Sequence, residues 1–265
     1  AGVVAESWEA LNNRSALDGL APRTRYIRDV LGAKAEYKIS DTLTGFMTLQ
    51  NYHDRLGSVE LPAGSVALDG RITTVGSKYV NGNLQVSAEI AHSSKNDLVA
   101  QIDRSGNAGI IDATYRLDSV SLRTGYHDLD ANFASLAQTT TAGLREWYVG
   151  ADWAISPQIT YGIDVRDAVT RTAALGDTPS SQSSLQSLTN RFNYNVQTVP
   201  GLAFSVSDTR NKGKDALQNS TLNDATQLVT SYTTAEWTAY ALIGVGRSRN
   251  PLNDAADSNN RMWQV

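Results

Sequence analysis

The most constraining feature of this chain is a period of two in its hydrophobic residues, which recurs in segments of about ten residues separated by turns. From Trp147 to Ile155 every odd-numbered residue is apolar, whereas Tyr148, Gly150 and Asp152 stand between them. Successive residues of a β-strand point to opposite faces. Each such segment therefore predicts a strand with one apolar face and one polar face.

The same pattern continues through several turns. The segment from Ile111 to Leu117 leads through Asp118 and Ser119 into Val120–Tyr126, with apolar residues on one face of both halves. We predict about twelve strands, including a last one from Asn260 to Val265. The segment from Leu43 to Tyr52 has apolar residues on both faces. Further stripes are Leu31, Ala33, Ala35, Tyr37 and Ile39, then Val80, Gly82, Leu84, Val86, Ala88 and Ile90 as a single strand, and Trp237, Ala239, Ala241, Ile243 and Val245.

The predicted connections alternate between tight turns and long polar loops. The tight turns lie near residues 40–42, 93–97, 118–119, 156–158, 197–201 and 233–235. The long loops are His53 to Ser77, Asp128 to Gly143, Arg171 to Gln186, Thr209 to Asp224 and Ser248 to Asn259. Short turns on one side and long loops on the other are typical of β-barrels that cross the bacterial outer membrane.

Composition limits the function further. The chain has 265 residues, 41% of them hydrophobic, a net charge of −4 and no cysteine, which excludes disulfides and thiolate metal sites. No apolar run reaches the 18 or more residues of a membrane helix, but a barrel strand needs only about 9 to 11. Without a basic run, nucleic acid is not an expected partner.

The stretch from Gly125 to Ile163, GYHDLDANFASLAQTTTAGLREWYVGADWAISPQITYGI, joins a tyrosine strand end, a loop and a new strand start at Leu144 and Glu146. It resembles a motif of bacterial outer-membrane β-barrels, porin-like or large surface barrels. The resemblance implies an all-β, antiparallel transmembrane β-barrel of about 12 or more strands, with short periplasmic turns and long extracellular loops. Many such barrels end on an aromatic residue, whereas Trp263 here precedes Val265 by two residues, so we expect a partial chain.

The predicted barrel occupies residues 29–265, possibly as part of a larger one. Residues 1–28 are left as a separate segment, either a short helix or an earlier strand. No signal peptide is visible, so an exported protein would appear here as a processed chain or an excerpt.

Candidate chemistry is sparse. The three histidines show no zinc motif, and His127 beside Asp128 is the only candidate for a hydrolase, although adjacent strand residues point to opposite faces. We therefore expect no enzyme and no cofactor. Asp128, Asp130 and Asn132 have the spacing of a calcium loop, but the residues that an EF-hand needs are missing at Phe133 and Thr139. Loose Ca²⁺ binding by exterior loop carboxylates, including Asp254 and Asp257, is left open.

The polar face of the strands supplies the candidate site. If the apolar stripes contact lipid, the opposite side lines a lumen with balanced charge, which argues against strong ion selectivity. We also predict a diagonal pair between Asp112 and Arg123. The predicted lumen residues are Lys34, Glu36, Lys38, Glu89, Asp112, Arg116, Arg123, Glu146, Asp152, Asp164, Arg166 and Arg191.

The sequence thus predicts an outer-membrane barrel that conducts solutes or polymers passively, with the lipid bilayer and further protein chains of an assembly as partners. One alternative is a structural or adhesive surface barrel with a plugged lumen, which binds a partner through its long loops. A second alternative is a soluble β-sandwich or solenoid binding module, whose apolar faces would meet in one core.

Overall fold

The described part of the chain is all-β, apart from one turn of 3₁₀ helix at Leu56–Ser58. The computed structural model describes the backbone of residues 2–10 and, with their side chains, residues 28–58, 67–134, 142–174, 180–217, 219–250 and 257–264. In these ranges, no helix is long and apolar enough to span a membrane.

In the described residues, fourteen strands follow one another in one sheet, and neighbours in the chain are hydrogen-bonded to each other. The predicted all-β antiparallel class is therefore confirmed. The strands are β1 Gly2–Ala10, β2 Arg28–Lys38, β3 Leu43–Asp54, β4 Leu68–Asn81, β5 Leu84–Asp97, β6 Ile102–Leu117, β7 Val120–Leu129, β8 Leu144–Ala154, β9 Ile159–Thr172, β10 Ser181–Asn195, β11 Leu202–Lys214, β12 Ser220–Thr233, β13 Thr238–Arg249 and β14 Ser258–Gln264.

The beginning of the chain, for which the sequence left a helix or a strand open, contains strand β1. It pairs antiparallel with β2, from Gly2 opposite Glu36 to Ala10 opposite Arg28. At the other end, the last strand runs from Ser258 to Gln264, close to its predicted position.

The prediction of one strand from Val80 to Ile90 is wrong. Strand β4 ends at Asn81, Gly82 and Asn83 form a two-residue turn, and β5 begins at Leu84. The φ angle of Gly82 is 54°, in the left-handed region that favours glycine at such a turn. In a two-residue hairpin, Asn81 lies opposite Leu84. The turn was hidden because Val80 is apolar although it has the parity of Lys78 on the polar face, and because Gly82 was counted as a strand residue.

The tight turn predicted at 93–97 is also wrong, because β5 continues to Asp97. The chain reverses at residues 98–101, where the Asp97 carboxylate accepts hydrogen bonds from the backbone N–H groups of Val99 and Ala100, both at 2.9 Å. Asx side chains stabilise such turns by accepting from the backbone two or three residues further on.

Several predicted loops are strand instead. Strand β4 begins at Leu68, β10 at Ser181 and β12 at Ser220, and β11 continues to Lys214. These extensions are rich in Ser, Thr, Asn and Lys, and for that reason lack the apolar alternation. Between β11 and β12, the Asp215 carboxylate accepts from the side-chain amide and backbone N–H of Asn219, both at 2.8 Å, and these bonds hold its pKa below the usual value.

The chain divides into two compact units. Unit 1 comprises residues 1–80, 87–111 and 128–143, and unit 2 comprises residues 81–86, 112–127 and 144–265. In unit 1 a small buried cluster forms on one face of the sheet. Its members are Val30, Tyr52, Ile72, Ala108, Leu129 and Phe133. Leu31, Met47, Val75 and Ile90 of the same unit are exposed.

This cluster explains the mixed pattern from Leu43 to Tyr52. Tyr52 belongs to the cluster, Phe46 lines a cavity beside it, and Met47 is exposed. Strand β3 is apolar on both faces because one face packs against protein while the other is exposed.

Candidate functional site

One face of unit 2 carries a continuous apolar row across seven strands. The row begins at Trp153 on β8 and continues through directly paired residues to β14. All seven of its side chains are partly or largely exposed. The members are Trp153, Tyr161, Phe192, Val206, Leu228, Ile243 and Trp263. Because these side chains are not packed into a protein interior, the row is a surface suited to hydrocarbon.

The opposite face of unit 2 carries four charged side chains that we call the charge quartet: Arg123 on β7, Asp152 on β8, Asp164 on β9 and Arg191 on β10. Each arginine contacts both aspartates, for example Arg123 Nε with Asp164 Oδ1 at 3.1 Å and Arg191 Nη2 with Asp152 Oδ1 at 3.2 Å. The side chains are 28% to 45% exposed. The quartet is thus internally neutral and in contact with solvent.

A glycine makes room for the quartet. A Cβ atom added to Gly162 would lie 2.7 Å from Asp152 Oδ1 and 3.1 Å from Arg191 Nη2. A larger residue at this position would displace one of the ion pairs.

A second polar cluster in unit 2 surrounds His127. Its Nε2 atom lies 2.9 Å from Asp112 Oδ1, and its Nδ1 atom lies 3.0 Å from Glu146 Oε1. The Tyr148 hydroxyl donates to Asp112 at 2.6 Å, and Arg166 Nε donates to Glu146 at 2.6 Å. Both ring nitrogens of His127 are occupied by carboxylates, so this geometry does not activate a hydroxyl nucleophile.

The polar face of unit 1 carries further predicted site residues. Lys34 pairs with Glu36 at 2.7 Å and lies 5.5 Å from the centroid of the Phe46 ring. Lys34, Glu36 and Glu89 line a cavity of about 730 Å³ together with Ile72 and Phe133. Lys38 pairs with Asp41 at 2.8 Å in the adjacent turn.

The segment from Asp130 to Ala134, which begins the loop after β7, lies on this face of unit 1. The Ala134 N–H donates to Ser93 Oγ at 2.9 Å, and the Asn107 N–H donates to Asp130 Oδ2 at 2.7 Å. Phe133 is buried, and its backbone passes so close to Gly106 that a Cβ there would clash with it. We call residues 130–134 the inner segment.

The structure places the predicted site residues on polar strand faces, but some expected partners are different. In the described structure, Asp112 does not pair with Arg123. Asp112 contacts His127 and Tyr148. Arg123 instead contacts Asp152 and Asp164, the two aspartates of the charge quartet. Arg116 lies on β6 at the same strand parity as Asp112.

Sequence reasoning missed His127, Tyr148 and Phe133 as members of these clusters. The parity of the strands carried a signal for His127, because Arg123 and His127 are four residues apart on β7 and thus face the same side. Phe133 lies outside the strands, and no periodicity marks it.

The candidate calcium residues are only partly described. Asp254 lies outside the described residues, as does Thr139. The Asp130 carboxylate accepts the Asn107 N–H. Within the described ranges, no group of three or more His, Cys, Asp or Glu side chains has the arrangement of a metal site.

Comparisons with known proteins find similar structures only. No protein-family model matches the chain, and no curated protein is similar to it. A structure described as a bacterial polysaccharide outer membrane secretin aligns with 98% of this chain and 81% of its own, at 12% identity and a TM-score of 0.46. Two mutants of the Rh. blastica porin align with 99% of this chain and 98% of their own, at 9% and 10% identity and TM-scores of 0.35 and 0.32.

In the described residues, consecutive strands pair antiparallel, an exposed apolar row lies on one face of unit 2, and ion pairs lie on the opposite face. Strands with one apolar and one polar face, paired in chain order, are the arrangement found in transmembrane β-barrels.

Proposed function

We propose that this chain forms a passive channel for solutes across the bacterial outer membrane. The observation that carries the proposal is the charge quartet, which lies on the sheet face opposite the exposed apolar row. If the apolar row contacts lipid, the quartet faces the barrel interior. Four partly exposed charges are favourable there only if water reaches them, because burial of charge without water is costly.

The interior chemistry favours weak selectivity. The quartet has two positive and two negative charges, and Glu146 pairs with Arg166 while it contacts His127. A ring of one sign would attract one class of ion, whereas balanced pairs leave the choice of solute to the diameter of the path. No covalent step is part of this function.

The test is electrical recording from the purified protein in planar bilayers under a KCl gradient. The double substitution Arg123→Gln with Arg191→Gln leaves Asp152 and Asp164 without their cations, so we expect the reversal potential to move toward cation selectivity. The matched control removes two arginines from the other face, Arg71→Gln with Arg145→Gln, and should leave the reversal potential unchanged.

The plugged surface barrel has one observation in its favour, the inner segment on the polar face of unit 1. Absence of ion conductance from protein that has demonstrably inserted would support that function and overturn the channel. A parent protein that stays in the aqueous phase without detergent would favour the soluble module.

A further inference from the structure

The apolar face of unit 2 is interrupted on the strands that follow β9. On β9, Ile163 and Val165 continue the apolar stripe above Tyr161. In the row of Ile163, however, the directly paired residue on β10 is Asn190, and its partner on β11 is Asp208. In the next row, Arg210 on β11 pairs with Asp224 on β12, which pairs with Arg247 on β13. Charged residues therefore occupy rows that are apolar on β9.

These rows border a groove of about 740 Å³ in unit 2. Its walls combine apolar and basic side chains, and the residues that matter here are Trp147, Leu188, Leu222, Arg210, Lys212 and Arg249. The groove lies next to the apolar row, since Leu228 and Val206 of that row are on the same strands as Leu222 and Arg210 and share their parity. An amphiphile would find an apolar surface and a basic surface side by side.

Basic side chains outnumber the acidic ones at this place. Arg210, Lys212, Lys214, Arg247 and Arg249 share the face with three carboxylates, Asp167, Asp208 and Asp224. All three carboxylates are already engaged, and Asp167 accepts a hydrogen bond from the Gln186 side-chain amide at 3.0 Å. Asp208 contacts Arg210 at 3.3 Å and accepts from Thr226 at 2.8 Å, and Asp224 pairs with Arg249 at 2.7 Å.

Donors remain available for a ligand. Among the described residues, Lys212, Lys214 and Arg247 have no ion-pair partner. The Nε atom of Arg249 is buried, and no acceptor in the described residues lies within hydrogen-bond distance of it. A buried donor without an acceptor costs free energy, so the site is electrostatically incomplete without an anion. The excess is local, because the whole chain has a net charge of −4.

We propose that this groove binds the phosphate-bearing headgroup of a membrane lipid, with the acyl chains along the apolar row. The inference rests on the proposed function to the extent that the barrel must lie in a bilayer. Lys214 and Arg249 are the last residues of β11 and β13, at the strand ends away from the tight turns. The headgroup would therefore belong to the leaflet on the long-loop side, where phosphates and basic side chains meet at the boundary of the hydrocarbon.

The combination of a basic groove with an adjacent apolar row favours a lipid over a protein as the ligand. Guanidinium groups match phosphate oxygens in a bidentate manner, and lysine ammonium groups add positive charge. The adjacent apolar row is mostly hydrocarbon and matches acyl chains, and the Tyr161 hydroxyl within it is already bonded to Asn190.

The test measures lipid retention by native mass spectrometry of the detergent-purified chain, with diphosphorylated lipid A as the probe. The variant Lys212→Gln, Lys214→Gln, Arg247→Gln removes three unpaired cations. Because basic residues near a lipid surface attract anionic headgroups, we expect lipid A to bind at least about tenfold more weakly. The control Lys34→Gln, Lys38→Gln, Lys78→Gln removes the same charge from other strands and should retain the parent affinity.

Two further probes identify the ligand chemistry. Dephosphorylated lipid A should bind much more weakly than the diphosphorylated form, and inorganic phosphate should not displace it at comparable concentration. Equal affinity of the parent and the groove variant for lipid A would overturn the proposal, as would equal retention of the dephosphorylated lipid or displacement by free phosphate.

Liposome insertion, followed by heat-dependent migration on gels, is measured on the same samples. Protein that inserts but shows no phosphate-dependent retention contradicts the lipid site alone, whereas protein that fails to insert contradicts the proposed function.

Discussion

Charged side chains on the polar face of unit 2 neutralise one another across strands rather than along them. Arg123 and Arg191 lie on strands that flank those of Asp152 and Asp164, so each carboxylate contacts a cation from either side. Such a network holds neighbouring strands in register, although isolated exposed pairs contribute little stability. The sequence predicted which residues share this face. It did not predict the pairs, because these depend on the register of each hairpin, as the expected Asp112–Arg123 pair shows.

Glu146 is the most sharply testable single residue. Its side chain is 9% exposed and contacts both His127 and Arg166, whereas Glu36 is 53% exposed and contacts Lys34. We expect Glu146→Gln to lower the free energy of unfolding by about 1–3 kcal/mol, because a buried charge-assisted contact is lost. Glu36→Gln, the matched control, should cost about 0–1 kcal/mol. Urea unfolding in liposomes measures both, and equal effects would contradict the burial of Glu146.

At the scale of the element, a period of two sufficed to predict strands where one face is apolar, as in β7, β8 and β9. The period of two failed to predict strands where both faces of a strand are polar. The ends of β10 and β11 carry Ser, Asn and Lys on both faces, and nothing in the pattern separates them from a loop. It also failed at Gly82, because the apolar Val80 on the polar face and the glycine of the turn imitate the alternation of a continuous strand.

Gly82 offers a test of that turn. An alanine there must adopt a positive φ, which costs about 1–2 kcal/mol in L-residues, so we expect Gly82→Ala to lower stability by about 1 kcal/mol. Asn83, the next residue, is not among the described positions of positive φ. Asn83→Ala should therefore change stability by less than about 0.5 kcal/mol. Urea midpoints of the two variants give the comparison, and an unaffected Gly82→Ala would contradict a left-handed residue at this turn.

The inner segment is the element on which conductance should depend most. Ser93 is fully buried, and its hydroxyl accepts the Ala134 N–H at 2.9 Å. In Ser93→Ala this tether is lost and the N–H is left without its acceptor. We expect a more mobile segment, which bilayer recordings would register as increased current noise and as altered single-channel conductance.

Ser94 is the matched control, because it lies next in β5 and its side chain points to the other face. Ser94→Ala should leave the current unchanged. A Ser93→Ala channel with the parent's conductance and noise would show that the inner segment does not restrict the path.

At the scale of the whole molecule, the decisive physical choice is which solvent contacts each face of the sheet. In a soluble sandwich the apolar faces pack together. Here Ile243, the sixth of the seven members of the apolar row, is 63% exposed, and the hydrophobic cluster found in the described residues is the small one around Tyr52 and Phe133 in unit 1. A water-soluble protein with this row would expose a large apolar patch that promotes aggregation.

Single lysine substitutions at two adjacent residues test which face of the sheet contacts lipid and which contacts water. Ile243 lies in the apolar row, whereas Leu242 is its neighbour on the opposite face of β13, where it pairs with Val229 and Gln264. A lysine on the lipid face of a barrel costs about 2–4 kcal/mol near the middle of the bilayer, so Ile243→Lys should lower the stability and yield of folding into phosphatidylcholine liposomes by that amount. Leu242→Lys faces water and should have a much smaller effect. If Ile243→Lys instead folds as well as the parent, and remains in solution without detergent, the apolar row does not contact hydrocarbon and the channel loses its physical basis.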